Sequence, residues 1–206
     1  NLVDWGPLDL PAALDQLIAL APNLPVTLVG HSAGAQLIGL MPNFARIDRY
    51  VLIAASSGHF NNMKPKTRLA AKLLFHGWQP VSVAVKGYWP TKLIGFGEDL
   101  PAGVANQWRQ WCSSPGYVEN SFGKEIQQHH YEDITAPVLS LTVTDDHIAV
   151  PANVEDFLRL LPNARTEKHF LEPASFGLKE IGHSDLLRSR CKACWPHILE
   201  GLESNG

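Results

Sequence analysis

Nine residues, Val26-Thr27-Leu28-Val29-Gly30-His31-Ser32-Ala33-Gly34, constrain this chain more than any others. They read as a buried apolar strand running straight into G-x-S-x-G. The run Ala35–Met41 behind it is compatible with a helix, and Pro42 stops it. A strand, a tight turn and a helix in that order form a nucleophile elbow, which holds a serine hydroxyl clear of the backbone. Gly30 and Gly34 are expected where strand and helix approach too closely for a Cβ. The helix start behind Ser32 offers free N–H groups and a positive dipole end. The N–H of Ala33 is therefore the expected oxyanion donor.

With 206 residues, 45% of them hydrophobic and 18% charged, the chain can bury one sizeable core. Its formal net charge of -3 argues against a general nucleic-acid binder. No apolar run is long enough for stable membrane insertion. Three cysteines make no disulfide framework. Cys191 and Cys194 form C-x-x-C inside a late helical pattern, without the second pair that zinc would need. Reduced thiols and a cytoplasmic setting are the expectation.

Asp9 is expected to cap a first helix with Leu10, Leu14, Leu17 and Ile18 on its apolar face. Ile47–Ala55 and Pro137–Val143 read as further buried strands. Thr166–Leu171 alternates with charge and suits a strand near a sheet edge. Pro151–Leu161 suits a helix, and Ser184 is expected to cap a last helix from Asp185 to about Glu200, interrupted at Pro196. Strands separated by helices imply a parallel sheet with right-handed crossovers.

From 59 to 134 the pattern changes. Trp78, Trp89, Trp108 and Trp111 lie here, four of the six tryptophans in the chain. Between His59 and Phe96 stand six cations (Lys64, Lys66, Arg68, Lys72, Lys86, Lys92) and no acid. Short helical pieces such as Thr67–His76 and Val104–Cys112 suggest a helical cap inserted into the core. The division is then 1–58 core, 59–134 cap and 135–206 core. The four tryptophans are candidates, with His31, to line a substrate pocket; the alternative is that they pack the cap onto the core. The basic run suits anionic ligands or a membrane surface, or else a solvated face.

Ser32, Asp145 or Asp146, and His183 follow one another along the chain, each just after an expected strand. Ser32 needs a base, His183 can take and return its proton, and a carboxylate must hold the histidine tautomer. Asp146 is preferred because it begins the turn Asp-His-Ile-Ala-Val-Pro. Asp145 remains the alternative, or else caps the turn through its own backbone. No H-E-x-x-H pattern appears, so a metal hydrolase is not expected, and no cofactor is expected because the triad and oxyanion hole supply the chemistry.

GHSAG at 30–34, GEDLPAGVANQWRQWC at 97–112, TDDHIAVPANVEDF at 144–157 and IGHSDLLR at 181–188 together resemble the α/β-hydrolase superfamily. Within it, the chain is similar to a group of bacterial proteins, mostly uncharacterised. The resemblance implies an α/β-hydrolase fold, the parallel part of a doubly wound sheet with a helical cap. It also implies a Ser32–His183–Asp146 triad acting on a small-molecule acyl substrate, a carboxylic ester or thioester. An acyltransferase or peptidase would use the same residues, and a non-catalytic binding module would keep the fold without the chemistry. Relative to the superfamily pattern, about four strands and the loop giving a second oxyanion donor have no counterpart here. The expectation is a fragment whose sheet an N-terminal part of the same protein completes.

Overall fold

The two strands richest in buried residues, Arg49–Ile53 and Val138–Val143, form the centre of the sheet, as parallel strands buried on both faces do. The computed structural model describes residues 1–95 and 97–203. In chain order it contains α1 (Asp9–Leu20), β1 (Thr27–His31), α2 (Ala33–Gln36), β2 (Arg49–Ile53), α3 (Pro65–Lys72) and α4 (Gln79–Lys86). There follow β3 (Tyr88–Trp89), β4 (Leu100–Pro101), α5 (Ala102–Cys112), β5 (Val138–Val143), α6 (Pro151–Leu158), β6 (Thr166–Leu171) and α7 (Trp195–Glu203). The main sheet is wholly parallel, in the order β1-β2-β5-β6.

Every residue of β5 is buried, as are Tyr50, Val51, Leu52 and Ile53 of β2. Helix α7 closes on this centre at Gly201, where a Cβ would stand 2.5 Å from Leu139 and 2.8 Å from Val51. The expected position of β6 at an edge is observed, with Glu167 and Lys168 exposed.

The strand before the elbow departs from its expected burial. β1 is the opposite edge of the sheet, and Val29 is 44% exposed. Its apolar residues have β2 on one side, and no strand among the described residues pairs with the other.

Several local expectations are also corrected. The residue capping α1 is Leu8, without a side-chain hydrogen bond, so Asp9 is already inside the helix. Leu17 is exposed, and Leu14 and Pro11 provide the buried contacts. The elbow helix lasts one turn and tightens into a 3-10 segment, Ile38–Leu40, before Met41 returns to extended backbone. The last helix does not begin after Ser184. A 3-10 segment, Ser189–Cys194, precedes α7, and Pro196 falls in the first turn of α7, where its missing N–H costs nothing. Cys191 and Cys194 are buried free thiols.

Residues 59–134 connect β2 to β5. Their longest element is a continuous helix of α3, a π-helical stretch Leu73–Trp78, and α4, ended by Gly87 in the left-handed region. An aromatic cluster holds it against α5 and the two-stranded β3–β4 ribbon. Phe75 stands 4.9 Å from both Trp89 and Trp108, and Trp78 packs edge-on against Trp89 at 5.9 Å.

Candidate active site

The elbow begins at a close approach. A Cβ on Gly30 would lie 2.7 Å from Ala35 Cα, so only glycine lets the one-turn helix fold back on the strand. Gly34 behaves otherwise. Outside its own helix backbone and its two chain neighbours, nothing among the described residues lies within 4 Å of where its Cβ would be, so the expected clash is absent there. Ser32 takes φ 49° and ψ -118°, a left-handed conformation unusual for a non-glycine residue and worth about 1–3 kcal/mol of strain. The strain is held by its backbone: Ser32 N–H donates to Ile53 O at 2.9 Å, and Ser32 O accepts from Ala35 and Gln36 at 2.9 and 3.0 Å. The Ala33 N–H, in the first turn of α2, has no acceptor among the described residues.

Three chain segments converge on the serine hydroxyl. His183 Nε2 lies 3.0 Å from Ser32 Oγ, and His183 Nδ1 lies 2.8 Å from Asp146 Oδ2. A carboxylate only accepts, so the Nδ1–H donates to Asp146 and Nε2 is left to accept from the serine. The other carboxylate oxygen of Asp146 accepts from Ile148 N–H at 2.7 Å and Ala149 N–H at 2.8 Å. Burial pushes the Asp146 carboxyl up. The hydrogen bond and charge of His183 and these two N–H donors outweigh it and hold the group below its ordinary value.

Asp145 does not cap its own turn. Its carboxylate accepts from the N–H groups of Ile181, at 2.8 Å, and Gly182, at 3.1 Å, and so holds the loop that carries His183. Arg190 reaches the same loop from the other side, donating to Glu180 O at 3.1 Å and Ile181 O at 3.4 Å. His31 completes the brace. Its Nε2–H donates to the backbone carbonyl of His183 at 2.8 Å. Burial disfavours the charged imidazolium of His31 and lowers its pKa. Arg190, the carbonyl contact of His31 and the bracing role of Asp145 (expected as the alternative partner of the imidazole itself) were not legible, because each pairs with loop backbone, which has no sequence signature.

A cavity of about 500 Å³ opens over Ser32 and His183. Its apolar lining includes Phe60, Met63, Leu74, Phe75, Trp108 and Ile148, and His31 and Gln36 also face it. No Lys, Arg, Asp or Glu lines it among the described residues. Of the four tryptophans expected there, Trp108 alone contributes. Trp89 and Trp111 are fully buried, Trp111 donating its indole N–H to Ser121 Oγ at 2.7 Å, and Trp78 packs on Trp89. Large flat rings serve better as buried packing than as the walls of a chamber that must stay open. The wall is instead Thr67, Ala70, Ala71 and Leu74 of the cap helix, whose spacing of three, one and three residues is the signal of one helical face. Among the described residues no three or more His, Cys, Asp or Glu side chains gather as a metal site would need.

The family model described as "Alpha/beta hydrolase family" matches residues 2–190. The chain belongs to that family. No curated protein matches this chain in sequence. Similar solved structures include a soluble variant of monoglyceride lipase from Saccharomyces cerevisiae, at 15% identity and TM-score 0.54, covering 80% of this chain and 58% of that one. The monoacylglycerol lipase of Paleococcus ferrophilus has 14% identity and TM-score 0.52, covering 94% and 74%. An alpha/beta fold family hydrolase from Bacillus anthracis has 14% identity and TM-score 0.51, covering 98% and 76%. These likenesses establish the fold. The chain spans 58% of the length of the yeast lipase.

Proposed function

We propose that this chain carries the catalytic residues of a serine hydrolase that cleaves a carboxylic ester or thioester through an acyl-enzyme. The observation that carries the reading is the unbroken line from Asp146 through His183 to Ser32, with 2.8 and 3.0 Å links, at the floor of an apolar cavity. Ser32 Oγ attacks the acyl carbon while its proton passes to His183 Nε2, and Asp146 stabilises the imidazolium. The oxygen that gains charge is met by the Ala33 N–H. Collapse breaks the bond to the leaving alcohol or thiol, which takes the proton from His183. Water then repeats the sequence on the acyl-Ser32 ester and releases the acid.

A second donor for the oxyanion is part of the proposal. A further strand of the same protein would pair with the open edge of β1, cover Val29 and bring its following loop beside Ser32. The open space at Gly34 supports this reading, because a close approach there is unused among the described residues. One missing donor costs about 10²- to 10³-fold in kcat.

The test is covalent labelling with a fluorophosphonate, read by intact mass and peptide mapping, on the chain and on Ser32→Ala. One adduct at Ser32, absent from Ser32→Ala, is the expected result. A folded chain that takes no label, or takes it at another serine, overturns the proposal.

A further inference from the structure

The cap helix has two faces, and only the inner one is used by the cavity. Thr67, Ala70, Ala71 and Leu74 look inward. On the opposite side Leu69 and Leu73 are 62% and 64% exposed, and Val81 and Val85 are 62% and 78% exposed. Four large apolar side chains in solvent on one 22-residue helix are not an ordinary surface. The π-helical stretch decides how they line up. A π turn absorbs one extra residue. The eight steps from Leu73 to Val81 therefore count as about seven, close to two full turns at 3.6 residues each. Leu69, Leu73, Val81 and Val85 fall on a single stripe. In an unbroken α-helix the second pair would swing away from the first.

The charge beside the stripe has one sign. From 64 to 86 the chain carries Lys64, Lys66, Arg68, Lys72 and Lys86 and no Asp or Glu. Lys72 and Arg68 lean on Asn61, and Lys64, Lys66 and Lys86 meet no acidic partner among the described residues. Where the chain turns back toward the cavity, Leu93 and Ile94 are again 73% and 51% exposed, next to Gly95 of the lining.

We propose that the outer face of this helix docks on an anionic lipid surface, with its apolar stripe in the headgroup boundary and its lysines on the phosphates. An apolar stripe flanked by cations suits a helix lying in the plane of such a surface, and long lysine stems allow the ammonium groups to reach phosphate while the stripe is immersed. No helix among the described residues is long and apolar enough to cross a membrane, which fits docking rather than insertion. The docked helix separates the lipid from the cavity by its own width. Apolar acyl chains would therefore be met where the exposed Leu93 and Ile94 precede Gly95 of the lining. The docking is independent of the Ser32 chemistry.

The experiment is flotation of the chain with vesicles of phosphatidylcholine and phosphatidylglycerol at 7:3, and of phosphatidylcholine alone. Binding to the anionic vesicles at low salt, and its loss at 0.5 M salt, is expected. Lys64→Gln/Lys66→Gln/Lys86→Gln is expected to weaken binding about a hundredfold, at about fivefold per lysine near an anionic surface. Leu69→Gln/Leu73→Gln/Val81→Gln/Val85→Gln is expected to abolish it. These side chains are outside the core and the cavity, so the thermal melt of both variants should match that of the parent. Absence of flotation with anionic vesicles overturns the proposal, as does flotation unchanged in both variants. A lipid-free dimer in sedimentation velocity that the leucine–valine variant abolishes would assign the face to a second copy and overturn it as well.

Discussion

Asp146→Asn isolates the role of one carboxylate oxygen, because the structure dictates how the amide must sit. Oδ1 of Asp146 accepts from Ile148 and Ala149 at 2.7 and 2.8 Å, and only an oxygen can satisfy two N–H donors. The asparagine carbonyl is therefore fixed toward that turn. Its NH2 then occupies the site of Oδ2, 2.8 Å from His183 Nδ1, and presents a donor where the carboxylate presented an acceptor. The imidazole answers by carrying its proton on Nε2. That nitrogen can no longer accept from Ser32 Oγ at 3.0 Å. The expected loss in kcat is about 10⁴-fold, the size of an inverted tautomer in a Ser–His–Asp arrangement, or about 5.4 kcal/mol. Stability should fall only modestly, since the shape and both backbone hydrogen bonds are retained while the carboxylate's charge interaction with His183 is lost. Asp145→Asn is the control. It keeps one acceptor for the N–H groups of Ile181 and Gly182 and does not touch the ring, so about a tenfold loss from a loosened loop is expected. The assay is kcat on p-nitrophenyl butyrate, with a thermal melt to show that each variant is folded. If Asp146→Asn stays within tenfold of the parent, or if Asp145→Asn falls as far as Asp146→Asn while folded, the tautomer reasoning is refuted.

Gly30→Ala should destabilise the chain by several kcal/mol, since the new methyl would meet Ala35 backbone at 2.7 Å; Gly34→Ala should leave the melt of this chain within experimental error, and chemical denaturation of both distinguishes the two glycines. Trp89→Ala and Trp111→Ala should each cost about 3–5 kcal/mol, as fully buried rings do. Trp108→Ala should instead shift the preferred acyl length upward in a series of p-nitrophenyl esters, because it enlarges the cavity. The pH dependence of stability has two arms. Asp146, held below its ordinary value, contributes stability that is complete above the unfolded carboxylate pKa and is lost as pH falls through the folded one. His31 has a lowered pKa, so the unfolded chain binds its proton first and stability begins to fall as pH drops through the ordinary value of 6.5. Denaturant titrations from pH 8 to pH 5 should show a flatter curve for His31→Gln, which keeps a donor for the His183 carbonyl; an unchanged slope would refute this assignment.

The elbow shows how far local sequence reaches. Apolar, β-branched residues before Gly30 dictated a strand, and the small residues around Ser32 permitted the tight return, so both were legible. What Gly34 and Val29 pack against was not, because neither answer is in the adjacent residues. The tryptophans erred in the same way. Composition placed four of them between 59 and 134, but whether an indole lines a chamber or fills it depends on which helices face each other. The cavity wall was written in the helical spacing of Thr67, Ala70, Ala71 and Leu74, a quieter signal than aromatic bulk.

The sequence by itself determined the parallel strand pattern, the serine turn and the order in which serine, acid and histidine follow one another. Those features depend on alternation, on residue size at a turn and on chemistry at strand ends, all short-range. The sequence favoured Asp146 as the partner of the imidazole, while the tertiary structure alone decided how the His183 loop is braced by Asp145, Arg190 and His31, and which cap face is left in solvent. Two of the three braces join distant segments, Asp145 to Ile181 across 36 residues and His31 to the His183 carbonyl across 152. Such contacts are fixed by sheet order and helix packing, and the identities of the residues that meet are compatible with many other arrangements until the core closes.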